Sequence, residues 1–164
     1  MQILNQRQIE QKISRLAIQI LENNIGETEI VLVGVNRNGS GFADLLRSEL
    51  VKISDKNYIL ARISLNPAAP TEHEISISVP VESLSDKVII LVDDVLNSGR
   101  TLFFAARPIL DILPRKVEVA VLVERKHGSF PIKADYVGLS LATTLKENIE
   151  VKILDVSEKA VFLN

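Results

Sequence analysis

From Asn5 to Asn24, apolar side chains recur at Ile9, Ile13, Leu16, Ala17, Ile20 and Leu21. That spacing gives one apolar helical face, and Gly26 follows as a stop. Glu29–Val35 is a short run rich in Val and Ile, as a strand buried on both faces would be. A glycine-rich stretch comes next, then helical spacing through Phe42, Leu45, Leu46 and Leu50. Tyr58–Leu65 and Glu74–Val79 predict two strands joined by a Pro-containing turn; in the second, Ile75, Ile77 and Val79 alternate with Ser76 and Ser78. Lys87–Val92 predicts another buried strand, followed by a polar turn and a helix over about Arg100–Leu113. Pro108 should kink or split that helix. Val117–Val123 is a further strand, with short ones near Tyr136–Val137 and Glu150–Leu154. Phe103 and Phe104 are expected in the core. Strands alternating with helices predict a doubly wound α/β domain on a mostly parallel sheet.

Composition narrows this only slightly. At 164 residues the chain suits one domain, 1–164, with a core of its own. Its 46% hydrophobic and 24% charged residues read as globular, and no apolar run is long enough to span a bilayer. The polar start (Asn5, Gln6, Arg7, Gln8, Glu10) does not look like a secretory signal. Without cysteine there is neither a disulfide framework nor a thiolate metal site, so a cytoplasmic protein with no membrane partner is expected. A net charge of −2 argues against a molecule built as a whole to grip nucleic acid.

In sheets of this kind, ligands bind beyond the carboxyl ends of the strands. Two stretches fall there. In Asp93-Asp94-Val95-Leu96-Asn97-Ser98-Gly99-Arg100-Thr101, successive residues leaving a strand point to opposite sides, so the two aspartates can face different donors. The adjacent hydroxyls of a ribose would be such donors. Gly99 permits close backbone approach, Ser98 and Thr101 supply hydroxyls, and a helix start offers free N–H groups to an anion. An Asp pair alone would more simply cap a helix; the whole run describes a sugar-phosphate site. In Gly34-Val35-Asn36-Arg37-Asn38-Gly39-Ser40-Gly41, two glycines fall at P-loop spacing, but Ser40-Gly41 replaces the required Lys-Ser/Thr. A dinucleotide fingerprint fails too, for want of a third glycine. This stretch reads equally as a tight turn or as a second anion site.

The run Val88–Thr101 resembles the signature that binds 5-phosphoribosyl-1-pyrophosphate (PRPP) in type I phosphoribosyltransferases, in particular the pyrimidine-operon attenuator and uracil phosphoribosyltransferase branch, PyrR. Ala120–His127, Phe130, Pro131–Gly138 and Ile30–Gly34 extend the similarity over nearly the whole chain. The resemblance implies the type I phosphoribosyltransferase fold: a mostly parallel central sheet flanked by helices, with a small C-terminal hood. It implies Asp93 and Asp94 as catalytic residues on the ribose hydroxyls, and Asn97, Ser98, Gly99, Arg100 and Thr101 on the 5′-phosphate. It further implies Val35, Asn36, Arg37, Asn38 and Gly39 as the pyrophosphate loop, and Arg125, Lys126 and His127 at the base pocket. Mg2+ would come mainly through substrate oxygens, which suit a hard cation. PRPP and a nucleobase, uracil or a related pyrimidine, would be the substrates, and a homo-oligomer the assembly.

The sequence also departs from the family's pattern. Arg37-Asn38 stands before Gly39 where the pattern has Thr-Arg, so the basic residue is displaced by one position. Asn66–Glu74 stands in for a longer flexible loop with a Tyr-Arg-Asp-Asp run and holds no arginine; His73 is expected merely exposed. Leu139–Thr144 carries little charge to meet phosphates, which speaks against RNA as a partner. Beside the transferase stand a sensor that binds PRPP or a nucleotide without turnover, and a purely structural subunit.

Overall fold

Asn5 opens the first helix with a reciprocal cap: its side chain accepts from the Gln8 N–H, and the Gln8 side chain accepts from the Asn5 N–H. The computed structural model describes residues 1–164. After a three-residue strand β1 (Gln2–Leu4), helix α1 runs Gln6–Glu22 and buries Ile9, Ile13, Leu16, Ala17 and Ile20. Then follow β2 (Glu29–Val35), α2 (Asn36–Ile53), β3 (Asn57–Ser64), β4 (Ser76–Ile77) and β5 (Val88–Leu96). The rest comprises α3 (Arg100–Ala105), β6 (Lys116–Arg125), β7 (Tyr136–Leu141), β8 (Ile149–Lys152) and β9 (Ala160–Leu163). Short 3₁₀ turns cover Val81–Leu84 and Arg107–Asp111. No helix is long and apolar enough to cross a membrane.

The central sheet has the order β4-β3-β2-β5-β6-β7 and is parallel except for the edge pair β3–β4. Because side chains alternate across a strand, each central strand feeds two cores. Ile30, Leu32, Ile90, Val92, Ala120 and Leu122 pack with α1 and α2 residues such as Leu16, Phe42 and Leu46. Val31, Val33, Ile89, Leu91, Val119 and Val121 pack on the other face with Leu102, Ala105 and Ile109. Cover on both faces is why these strands read as unbroken apolar runs.

Three expectations are revised. The stretch after β2 is not a loop: α2 begins at Asn36, directly on the strand end. Glu74–Val79 shrinks to the two-residue β4, at the sheet edge with only β3 to pair with, and Pro80 follows soon after. Phe103 and Phe104 do not lie in the core. Phe103 is 42% exposed, and with Phe130 they form a three-ring cluster with centroids 5.4–6.3 Å apart. The helix near Pro108 does split, into α3 and a 3₁₀ turn. The hood is a separate antiparallel sheet of order β1-β9-β8, so both chain ends build it.

Candidate functional site

β2 and β5 are hydrogen-bonded neighbours, and at their carboxyl ends the two stretches singled out above meet. The helix that follows β2 packs so closely on the end of β5 that a Cβ on Gly39 would lie 2.6 Å from the Val92 carbonyl oxygen and 3.3 Å from Asp93 Oδ1. Glycine is therefore needed here for approach, not for a flexible loop. Asn36 turns the chain with a left-handed φ of 55°, a conformation Asn tolerates, and its Oδ1 accepts from the Leu65 N–H at 2.9 Å. Thus Val35–Gly39 becomes a strand end and the first turn of a helix, set against Asp93.

Asp93 is only 8% exposed, and no cation pairs with it. Its Oδ1 accepts from the Asp94 N–H at 2.9 Å. Burial, then the neighbouring Asp94 charge, pushes its carboxyl well above the usual carboxylate range. The two carboxylates thus feel each other more than simple alternation along a strand predicts. Asp94 is less buried; its Oδ1 accepts from the Val95 N–H at 2.9 Å and its Oδ2 from Asn38 Nδ2 at 3.0 Å. The pair offers one carboxylate reluctant to ionise beside one that is accessible and anchored.

Past Leu96 the chain folds into a cradle. Gly99 takes φ 87°, open to glycine, and the Arg100 N–H bonds Ser98 Oγ at 3.3 Å. Asp93, Asn97, Ser98, Gly99, Arg100 and Thr101 line a cavity of about 40 Å³. The cradle is held from behind, where Ser98 O accepts from the Ser129 and Phe130 N–H groups at 2.9 and 3.0 Å. Asn97 and Ser98 also line an adjoining cavity of about 210 Å³ with Arg125, His127, Ser129 and Leu145. A small polar cradle opening into a larger space suits a phosphate joined to a bulkier group.

Arg125 organises the second cavity. Its Nε donates to Thr143 Oγ1 at 2.7 Å, Nη1 to Asn97 Oδ1 at 3.3 Å and Nη2 to the Thr144 carbonyl at 2.8 Å. His127 is bonded through Nε2 to the Thr143 carbonyl. Lys126 is not brought to this cavity; it is exposed, with its N–H on the Leu141 carbonyl. Arg37 pairs with Asp155, beyond β8. Sequence reasoning missed Thr143, Thr144, Ser129, Leu145 and Asp155. Their only signal was position in irregular segments beyond strand ends.

No group of three or more His, Cys, Asp or Glu side chains is placed to hold a metal. A metal at this site would need ligands from a substrate.

A family model described as "Phosphoribosyl transferase domain" matches residues 1–156. A "Bifunctional protein PyrR" of Pelotomaculum thermopropionicum is 35% identical, over 99% of this chain and 94% of its own length. One from Clostridium acetobutylicum is 34% identical, over 96% and 92%. Among solved structures, the hypoxanthine phosphoribosyltransferase of Trypanosoma cruzi superposes with a TM-score of 0.79, at 16% identity, over 98% of this chain and 95% of its own. A hypoxanthine-guanine phosphoribosyltransferase from Bacillus anthracis gives 0.76 at 22% identity, over 99% and 96%. The structural likenesses bear on the fold alone.

Proposed function

Since the chain belongs to the phosphoribosyltransferase family and is related to the PyrR proteins, we propose that it transfers the phosphoribosyl group of PRPP to uracil or a related pyrimidine, releasing pyrophosphate. The observation that carries this reading is the pair of joined cavities at the end of β5, the smaller bordered by Asp93 and the larger by Arg125 and His127. In this reading the 5′-phosphate sits in the cradle Asn97–Thr101, where backbone N–H groups and the Ser98 and Thr101 hydroxyls meet it. Asp94, and Asp93 below it, accept from the two ribose hydroxyls and fix the sugar, so that the anomeric carbon faces the base cavity. Uniting base and sugar in one orientation supplies much of the rate. The base lies between Arg125, His127 and Leu145, with Arg125 keeping the walls in place rather than touching the reaction.

The diphosphate would meet the first turn of α2, residues 35–39, whose N–H groups stabilise the leaving charge. Mg2+ would be held mainly through substrate oxygens, with Asp94 as the more accessible carboxylate of the site. Bound so, it would offset the charge of the departing diphosphate.

A second reading has its own support. Residues 65–75, joining β3 to β4, contain no Lys or Arg, so apart from His73 no basic side chain there can close over a diphosphate. That favours a sensor that binds PRPP or a nucleotide with little turnover. Nucleotide formation from PRPP, Mg2+ and a panel of bases, followed by mass, separates the two. UMP from uracil, lost in Asp94→Asn, supports the transferase; PRPP binding without product from any base supports the sensor.

A further inference from the structure

Arg37 is the only cation in the first turn of α2, yet its guanidinium is bound to the Asp155 carboxylate. Two features set this contact apart from a casual surface pair. Asn36, just before Arg37, and Asp155 itself both hold left-handed φ angles, 55° and 52°. Leu154, next to Asp155, packs so tightly on the following turn of α2 that a Cβ on Gly41 would meet its Cδ2 at 2.4 Å. The turn after hood strand β8 thus delivers a carboxylate onto the helix start beside Asp93 and Asp94. Asn38, the next residue after Arg37, brings only a neutral amide, and that amide is already on Asp94.

We propose that Asp155 is a positioning residue that sets the ligand charge the site accepts: by holding Arg37, it weakens the diphosphate end of the site relative to the monophosphate cradle. The inference rests on the reading of residues 35–39 as the diphosphate-binding turn. A single phosphate in Asn97–Thr101 needs no help from Arg37. A diphosphate placed beside Asp93 and Asp94 does, and must first displace Asp155. The free protein therefore discriminates against diphosphate-bearing PRPP and in favour of a nucleoside 5′-monophosphate, the product of the proposed reaction. Because Arg37 and Asp155 are 65% and 79% exposed, the pair is weak and screened, and ligand can break it.

The test is calorimetric titration of PRPP with Mg2+, and separately of UMP, into wild type, Asp155→Asn, Arg37→Gln and the double variant. Asn tolerates the left-handed backbone, so Asp155→Asn should fold. Asp155→Asn should tighten PRPP about three- to fivefold, the size an exposed pair can supply, and leave UMP unchanged. The gain should vanish in the double variant and shrink at high salt. Equal effects on both ligands, no effect on either, or a gain that survives Arg37→Gln would each overturn the proposal. If wild type binds neither ligand, the transferase reading falls as well; if it binds both and Asp155→Asn alters neither, only the role of Asp155 falls.

Discussion

The amino and carboxyl ends of the parallel sheet are built on opposite electrostatic plans. At the amino end, acids and bases meet: Lys87 pairs with Glu29 at 2.6 Å, and Arg115 with Glu27 and Asp86 at 2.7 and 3.2 Å. Even the buried Glu118 is satisfied, by the Tyr136 hydroxyl at 2.8 Å, Asn24 Nδ2 at 3.1 Å and Lys116 at 3.4 Å. At the carboxyl end the Arg37–Asp155 pair is exposed, neither Asp93 nor Asp94 pairs with a cation, and Arg125 is committed to neutral oxygens. Buried charge is costly unless compensated. Where one end compensates it and the other does not, the uncompensated end is the one awaiting a ligand.

The sharpest way to break that contrast is to neutralise the uncompensated end. Asp94→Asn should lower kcat/KM for UMP formation by about a hundredfold or more, the usual scale for removing an interaction made to the reacting sugar. Its thermal midpoint should barely move, since Asp94 is partly exposed and an amide can keep its bond to the Val95 N–H. Steady-state kinetics beside a melting curve decides this. An active Asp94→Asn enzyme would remove Asp94 from the machinery.

The converse change belongs at the other end. Tyr136→Phe strips a donor from the buried Glu118 carboxylate and should cost roughly 1–3 kcal/mol, read from the denaturant midpoint. Burial already pushes the Tyr136 phenol upward, so it is a donor at any working pH. The kinetic constants of the folded variant should match wild type. A large kinetic loss with little loss of stability would mean that the two ends are coupled.

Much of this contrast was legible in the chain itself, though unevenly. The strands β2, β5 and β6 announce themselves, because burial on both faces leaves their runs almost wholly apolar, with Glu118 the polar interruption in β6. Asp93–Thr101 stood out because a strand end, an acid pair and a Gly-Arg-Thr helix start fall within nine consecutive residues. Residues 34–41 misled because glycine signals both turns and close packing, and here Gly39 serves packing against Asp93. Phe103 and Phe104 are expected in the core because they lie on the helix after the phosphate loop, but α3 turns Leu102 and Ala105 inward, and the rings fall on its other side. Asp155 and Thr143 were invisible because their partners, Arg37 and Arg125, are distant in sequence, and no local pattern records a pairing of that kind.

The smallest effect asks whether the lack of compensation at Asp93 itself opposes folding. In the unfolded chain Asp93 ionises near the ordinary carboxylate value of 3.8; in the folded protein burial and Asp94 hold its proton on to higher pH. The folded state thus binds more protons than the unfolded state between those two values, and wild type loses stability as pH rises through that window. An amide at this position cannot ionise, so Asp93→Asn escapes that loss while keeping an acceptor for the Asp94 N–H. The variant should therefore gain about 1 kcal/mol at pH 8, a common size for a stabilising change, and gain little or nothing at pH 3.5. Melting curves of both proteins across that range give the answer. A stabilised variant without PRPP binding would identify Asp93 as a group kept for ligand at the expense of the fold. An Asp93→Asn protein less stable at every pH would mean that the acid is held by contacts its amide cannot reproduce, and the contrast between the two ends would lose its firmest support.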